Sequence, residues 1–212
     1  MPGASLDPAG PVAAGFFGKI PARGDFVRSG LPRGFVDAWD AWLQRVLPES
    51  RDRLGALWLP AWMEAPIWHF MLPAGQCGAA PTIGVWMPSI DAAGRHFPLT
   101  LARVGRLPER TGEWLAGAEA VGLAALQLDL APEEVASRLE APPAIQGVAE
   151  PGRPGEDVAY WWTEGSPFVP AVRLALPALP DGATFAAMLH AVRDFETEEQ
   201  PVGPPGLGGA RE

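Results

Sequence analysis

The apolar positions of this chain follow two rhythms. Phe35, Val36, Trp39, Trp42, Leu43, Val46 and Leu47 recur at three- and four-residue intervals, the spacing of one helix face. Asp37, Asp40, Gln44 and Arg45 fall on the other side, so residues 34–47 are predicted to form an amphipathic helix. Pro48 lacks an amide donor and is expected to stop it. Ser50 then stands where it would cap a second helix over 51–64, with Leu54, Leu57, Trp58 and Trp62 inward and a break or kink at Pro60. After Pro66 the rhythm changes. Short apolar runs over 67–72, 82–87 and 96–104 predict three strands. Asp91 and Gly94 favour a turn between the last two, which should pair as an antiparallel hairpin with a longer loop.

Trp114, Leu115, Ala118, Val121, Gly122, Ala125 and Leu126 share one face of a predicted helix over 111–130. Pro132 followed by Glu133 and Glu134 opens another, since proline suits a first turn and acids suit its positive end. Two strands are predicted over 158–163 and 168–176, around a Gly165-Ser166-Pro167 turn, and Asp181 should cap a last helix over 184–195. This order predicts an α/β protein of the α+β type: a mixed, largely antiparallel sheet flanked by helices, in a single domain over 15–195. The proline- and glycine-rich ends read as a flexible arm over 1–14 and a disordered tail over 196–212, and residues 141–157, with four prolines, as a surface loop.

Composition narrows the function. A chain of 212 residues, 48% hydrophobic and with nine tryptophans, has material for one sizeable core. Cys77 is the only cysteine, which excludes a disulfide scaffold and suits a reducing compartment. The net charge is −9 and Lys19 is the only lysine, so the clustered cations that nucleic acid demands are missing. Residues 1–11 lack the basic start and apolar stretch of a secretory signal, and no apolar run is long enough to span a bilayer. The expectation is a cytoplasmic protein without membrane insertion.

Candidate chemistry is sparse. Gly18-Lys19 lacks the following Ser or Thr of a phosphate-binding loop; a strand and a tight turn, with Arg23 and Asp25 paired at the surface, explain the segment better. Ser89, Asp91 and His96 invite a hydrolase reading, yet Ser89 has no glycine-flanked elbow and a hairpin turn accounts for all three. His69, His96 and His190 stand on separate elements without metal-ligand spacing. No cofactor is implied. Trp161 and Trp162, adjacent on a strand, must point to opposite faces; the core claims most tryptophans, but one of these would anchor an interface if its face were bare.

Gly15-Phe16-Phe17-Gly18-Lys19-Ile20-Pro21 with Arg23-Gly24-Asp25-Phe26, then Leu31-Pro32 and Phe35-Val36-Asp37-Ala38-Trp39-Asp40-Ala41-Trp42-Leu43, resembles the N-terminal signature of the TagF family. So do Gly84-Val85-Trp86-Met87-Pro88-Ser89-Ile90-Asp91, Gly94-Arg95-His96-Phe97-Pro98-Leu99-Thr100 and Tyr160-Trp161-Trp162-Thr163-Glu164-Gly165. The resemblance spans about 15–193. It implies a cytoplasmic accessory protein of a bacterial type VI secretion system, a post-translational repressor that binds a forkhead-associated scaffold protein and is not an enzyme. In some bacteria this domain is fused to a PppA-type phosphatase; no such extension is seen here, so the chain is expected to act alone. The competing readings are a hydrolase using the Ser89–His96 region and a structural subunit of the apparatus.

The resemblance assigns no contact residues. Lys19, Arg23 and Asp25 in one turn, and Ser89, Asp91 and Arg95 in another, are polar groups that core packing does not require. The two turns are expected to lie together, either contacting the partner, with Trp161 a further candidate anchor, or bracing the fold through a pair between Arg23 or Arg95 and Asp25 or Asp91.

Overall fold

The computed structural model describes residues 12–151 and 157–191. Residues 1–11 of the expected arm, the expected tail and the last residues of the expected final helix lie outside that range. Seven strands form one sheet: β1 (Ala13–Gly18), β2 (Val27–Ser29), β3 (Trp68–Leu72), β4 (Thr82–Met87), β5 (Leu99–Val104), β6 (Ala159–Thr163) and β7 (Val172–Leu176). Their order is β2-β1-β5-β4-β3-β6-β7, and every pairing is antiparallel. The fold class is the expected one. Ala13 and Ala14, read as part of a loose arm, instead pair with Val104 and Arg103.

Helices cover both faces. Because side chains alternate along a strand, each central strand feeds two cores. Trp68 and Phe70 of β3, Trp86 of β4 and Trp161 of β6 point to one side, where they meet α1 (Arg33–Leu54), α2 (Trp58–Met63) and α5 (Gly182–Leu189). Met71, Ile83, Val85 and Leu101 point to the other, against α3 (Thr111–Gln127) and α4 (Pro132–Glu140). Eight of the nine tryptophans are buried, and only Trp162 is half-exposed. Trp39 sits at the centre of the first core, stacked near Phe35 and Trp161 at 5.4 and 6.0 Å and donating its indole N–H to Thr100 Oγ1 at 2.9 Å. Gly84 makes room for the Phe70 ring that packs on Trp39, since a Cβ there would collide with that ring and with the Leu101 carbonyl.

Several boundaries differ from expectation. Pro48 does not stop α1, which runs on to Leu54. Pro48 lies on the exposed side, so the Gln44 carbonyl it leaves without a donor faces water, while buried Val46, Leu47 and Ser50 hold the turn. Ser50 is therefore not a cap: its hydroxyl donates to the Leu47 carbonyl at 2.7 Å and accepts the Trp58 indole N–H at 2.9 Å. Leu57, expected inward, is exposed. The strand expected from His96 begins at Leu99, because Pro98 cannot donate to the ladder; His96 joins Ile90 in an isolated bridge instead. The final helix is capped by Asp181 as expected, accepting from Thr184 N at 2.8 Å, but ends at Leu189. There His190 turns extended and Ala191 N bonds the Phe168 carbonyl.

Candidate functional site

β1, β4 and β5 meet at one end of the sheet, where β1 and β4 finish and β5 begins. Gly18 closes β1 with a positive φ of 140°, against the Pro98 carbonyl where a side chain has no room. The next residue, Lys19, turns inward and its ammonium meets the Asp91 carboxylate at 2.6 Å, with both side chains buried. Asp91 Oδ2 also accepts from Arg95 Nε at 2.7 Å, and Oδ1 accepts the backbone amides of Ala93 and Arg95, each at 2.9 Å. Burial alone would raise the Asp91 pKa. The bonds from Lys19, Arg95 and Ala93 override it and hold the carboxyl well below the usual carboxylate range.

The two turns are stitched together by more than this ion triad. Ser89 Oγ donates to the Lys19 carbonyl at 2.7 Å, Ala92 N donates to the Arg23 carbonyl at 2.9 Å, and an Arg95 guanidinium N–H reaches the Gly24 carbonyl. The expected proximity of the two polar turns is thus observed. The pairing is not the surface pairing expected for the first turn: Arg23 bonds the Ala22 carbonyl and approaches Glu133 at 4.0 Å, while Asp25, exposed, makes no ion pair among the described residues.

These residues divide by role. Lys19, Ser89 and Asp91 are buried and spend their polar atoms on the fold. Arg23 and Asp25 remain exposed to solvent on the framework they provide, and Arg95, also exposed, belongs to both, bonding Asp91 and the Gly24 carbonyl while facing water. Trp161 is fully buried and packs on Trp39, Trp42 and Phe70, so it is a core residue and not an interface anchor. Its neighbour Trp162 has the freer face, stacked on His69, whose Nε2 lies 2.8 Å from Glu119.

Ser89 and His96 are not arranged as nucleophile and base. The hydroxyl is committed to the Lys19 carbonyl, and His96 packs edge-on against the stacked Trp58 and Trp62 rings. Burial, and then the nearby Arg51 charge, lower the His96 pKa against the opposing pull of Asp91. Cys77 is buried against the Phe35 carbonyl, and burial pushes its thiol up to about 12. Among the described residues no cluster of three or more His, Cys, Asp or Glu side chains could hold a metal, and no helix is long and apolar enough to cross a membrane.

What sequence reasoning missed is apolar. Beside the stitched turns lies a groove of about 210 Å³ lined by Pro21, Trp62, Met63, Pro88, Ser89, Ile90 and Leu126. Met63 is the most exposed of the residues lining it, at 63%, and Leu59, one turn earlier on α2, is half-exposed at 50%. Trp62 beneath them fixes the groove floor, donating its indole N–H to the Ser89 carbonyl at 3.3 Å. The Leu59–Met63 spacing was the available signal, obscured because Pro60 made the local helix uncertain.

Comparison with known proteins places this architecture. Among curated proteins none matches the chain. The crystal structure of PA0076 from Pseudomonas aeruginosa is similar, with 30% identity and a TM-score of 0.72 over 93% of this chain and all of that one. Residues 15–141 match the TagF N-terminal domain, described as type VI secretion system-associated. That span contains both polar turns and every residue lining the groove, and by it the chain belongs to the TagF family of type VI secretion-associated proteins.

Proposed function

We propose that this chain is a cytoplasmic, non-enzymatic repressor of type VI secretion that acts by binding a forkhead-associated scaffold protein of the apparatus. The observation that carries the reading is the composite surface at the end of β1 and β4. Exposed Arg23, Asp25 and Arg95 stand beside an apolar groove, on turns held rigid by the Lys19–Asp91–Arg95 triad. Exposed apolar groups rimmed by charge are the usual composition of a docking site. A rigid framework keeps such a site preorganised, which lowers the entropic cost of association. The groove supplies apolar contact, and the arginines and Asp25 supply register and discrimination between partners.

The test is co-purification of the chain with the forkhead-associated protein of a secretion-competent strain, that protein being identified by mass. Retention by the wild-type chain and weakened retention by Arg23→Ala, an exposed residue outside the triad, with an unchanged melting temperature, is expected. No retention of that protein by folded wild-type chain refutes the reading.

A further inference from the structure

β7 ends the sheet, and among the described residues no strand pairs with its outer side. The opposite edge, β2, is only three residues long, and there the chain doubles back with Leu31 N on the Ser29 carbonyl. β7 offers five residues, Val172-Arg173-Leu174-Ala175-Leu176, with Pro170 before them and Pro177 after. Val172, Leu174 and Leu176 are half-buried and extend the core that Trp39 and Trp161 centre. Arg173 and Ala175 alternate with them and are exposed on the opposite face, in register with Trp162 and Tyr160 of β6. An edge strand presenting unpaired backbone groups and a row of half-covered apolar side chains is a template for another strand.

We propose that β7 pairs antiparallel with β7 of a second copy of this chain, about a two-fold axis through Leu174. The sequence is self-complementary in that register. Leu174 faces its own counterpart, Val172 faces Leu176, and the apolar row continues unbroken from one protomer into the other. On the opposite face each Arg173 stands across from a partner Ala175, so no like charges meet. Ala175 is short and has Tyr160 beside it on β6, which leaves the incoming guanidinium a path toward the phenol ring. Other registers fail on named residues. Moving the axis to Arg173 sets two guanidinium groups against each other, a one-residue slip turns the apolar row onto the polar face, and Pro170 and Pro177 bar longer slides because proline cannot donate to a ladder. The charge pattern of this one strand thus selects a second copy, in one register, as its occupant.

The experiment is sedimentation velocity of the full chain from micromolar to several hundred micromolar, for wild type, Ala175→Arg and Ala175→Glu. Residue 175 is exposed, so the substitutions leave the core intact, and melting temperature in dilute solution confirms this. The expected result is a concentration-dependent dimer that Ala175→Arg weakens and Ala175→Glu strengthens. Each change should be about tenfold, because the two-fold axis sets the new charge against Arg173 twice. The double variant Arg173→Glu with Ala175→Arg should restore dimerisation. A chain that stays monomeric in all forms overturns the proposal, and so does a dimer indifferent to the sign of the charge at 175. Amide protection appearing in β7 only when a different protein is added assigns the edge to that partner and equally overturns it.

Discussion

A buried lysine and a buried aspartate 72 positions apart tie two turns into one piece. Breaking such a pair from one side leaves an uncompensated charge in the interior, which costs more than the intact pair contributes. Asp91→Asn is therefore expected to lower the melting temperature by several degrees, read by circular dichroism at neutral pH. The pH dependence has a definite sign. The folded Asp91 carboxyl titrates below its unfolded value of about 4, so its stabilisation is complete above that pH and is lost as the pH falls through the folded value. Wild type should lose stability steeply below about pH 4, and Asp91→Asn should lose less over the same interval. Cys77 offers a second check. A buried thiol with its pKa pushed up to about 12 carries almost no thiolate at pH 8, so alkylation by iodoacetamide should be slow in the native chain and fast in urea.

At the scale of elements, what the sequence shows depends on which face of a residue matters. The 34–47 periodicity was legible because every buried residue of α1 within that stretch is large and apolar, and β4 matched its expected bounds because turn chemistry brackets it. Pro48 misled because its cost depends on whether the orphaned carbonyl faces water, which periodicity alone does not decide. The same logic predicts that Pro48→Ala raises stability, by up to about 3 kcal/mol, as restored hydrogen bonding and helix propensity act at an exposed site. An unchanged or lower midpoint in urea contradicts that account. β2 escaped notice because three residues carry no readable rhythm, and β7 was overextended because Phe168 and Val169 are apolar yet belong to the bridge between Ser166 and Val169.

For the whole molecule, the polar half of the candidate site was readable and the apolar half was not. Lys19, Ser89, Asp91 and Arg95 stand out in sequence because polar groups inside apolar motifs need partners, and the fold brings them together. Pro21, Met63, Ile90 and Leu126 come from four distant segments, and only the packing of α2 and α3 against the strand ends makes them neighbours. Trp161 shows the converse, since its identity suggested an interface and its place under α1 makes it core. The division of labour that results is a buried ionic brace carrying an exposed apolar groove. Its most direct test is titration of the proposed partner, a purified forkhead-associated protein, with wild-type chain and with Met63→Glu, a change at the most exposed residue lining the groove. Binding weakened at least tenfold, with an unchanged melting temperature, is the predicted result, of the size that loss of one central apolar contact gives. Equal affinity for the two chains would contradict the assignment of this groove as the docking surface.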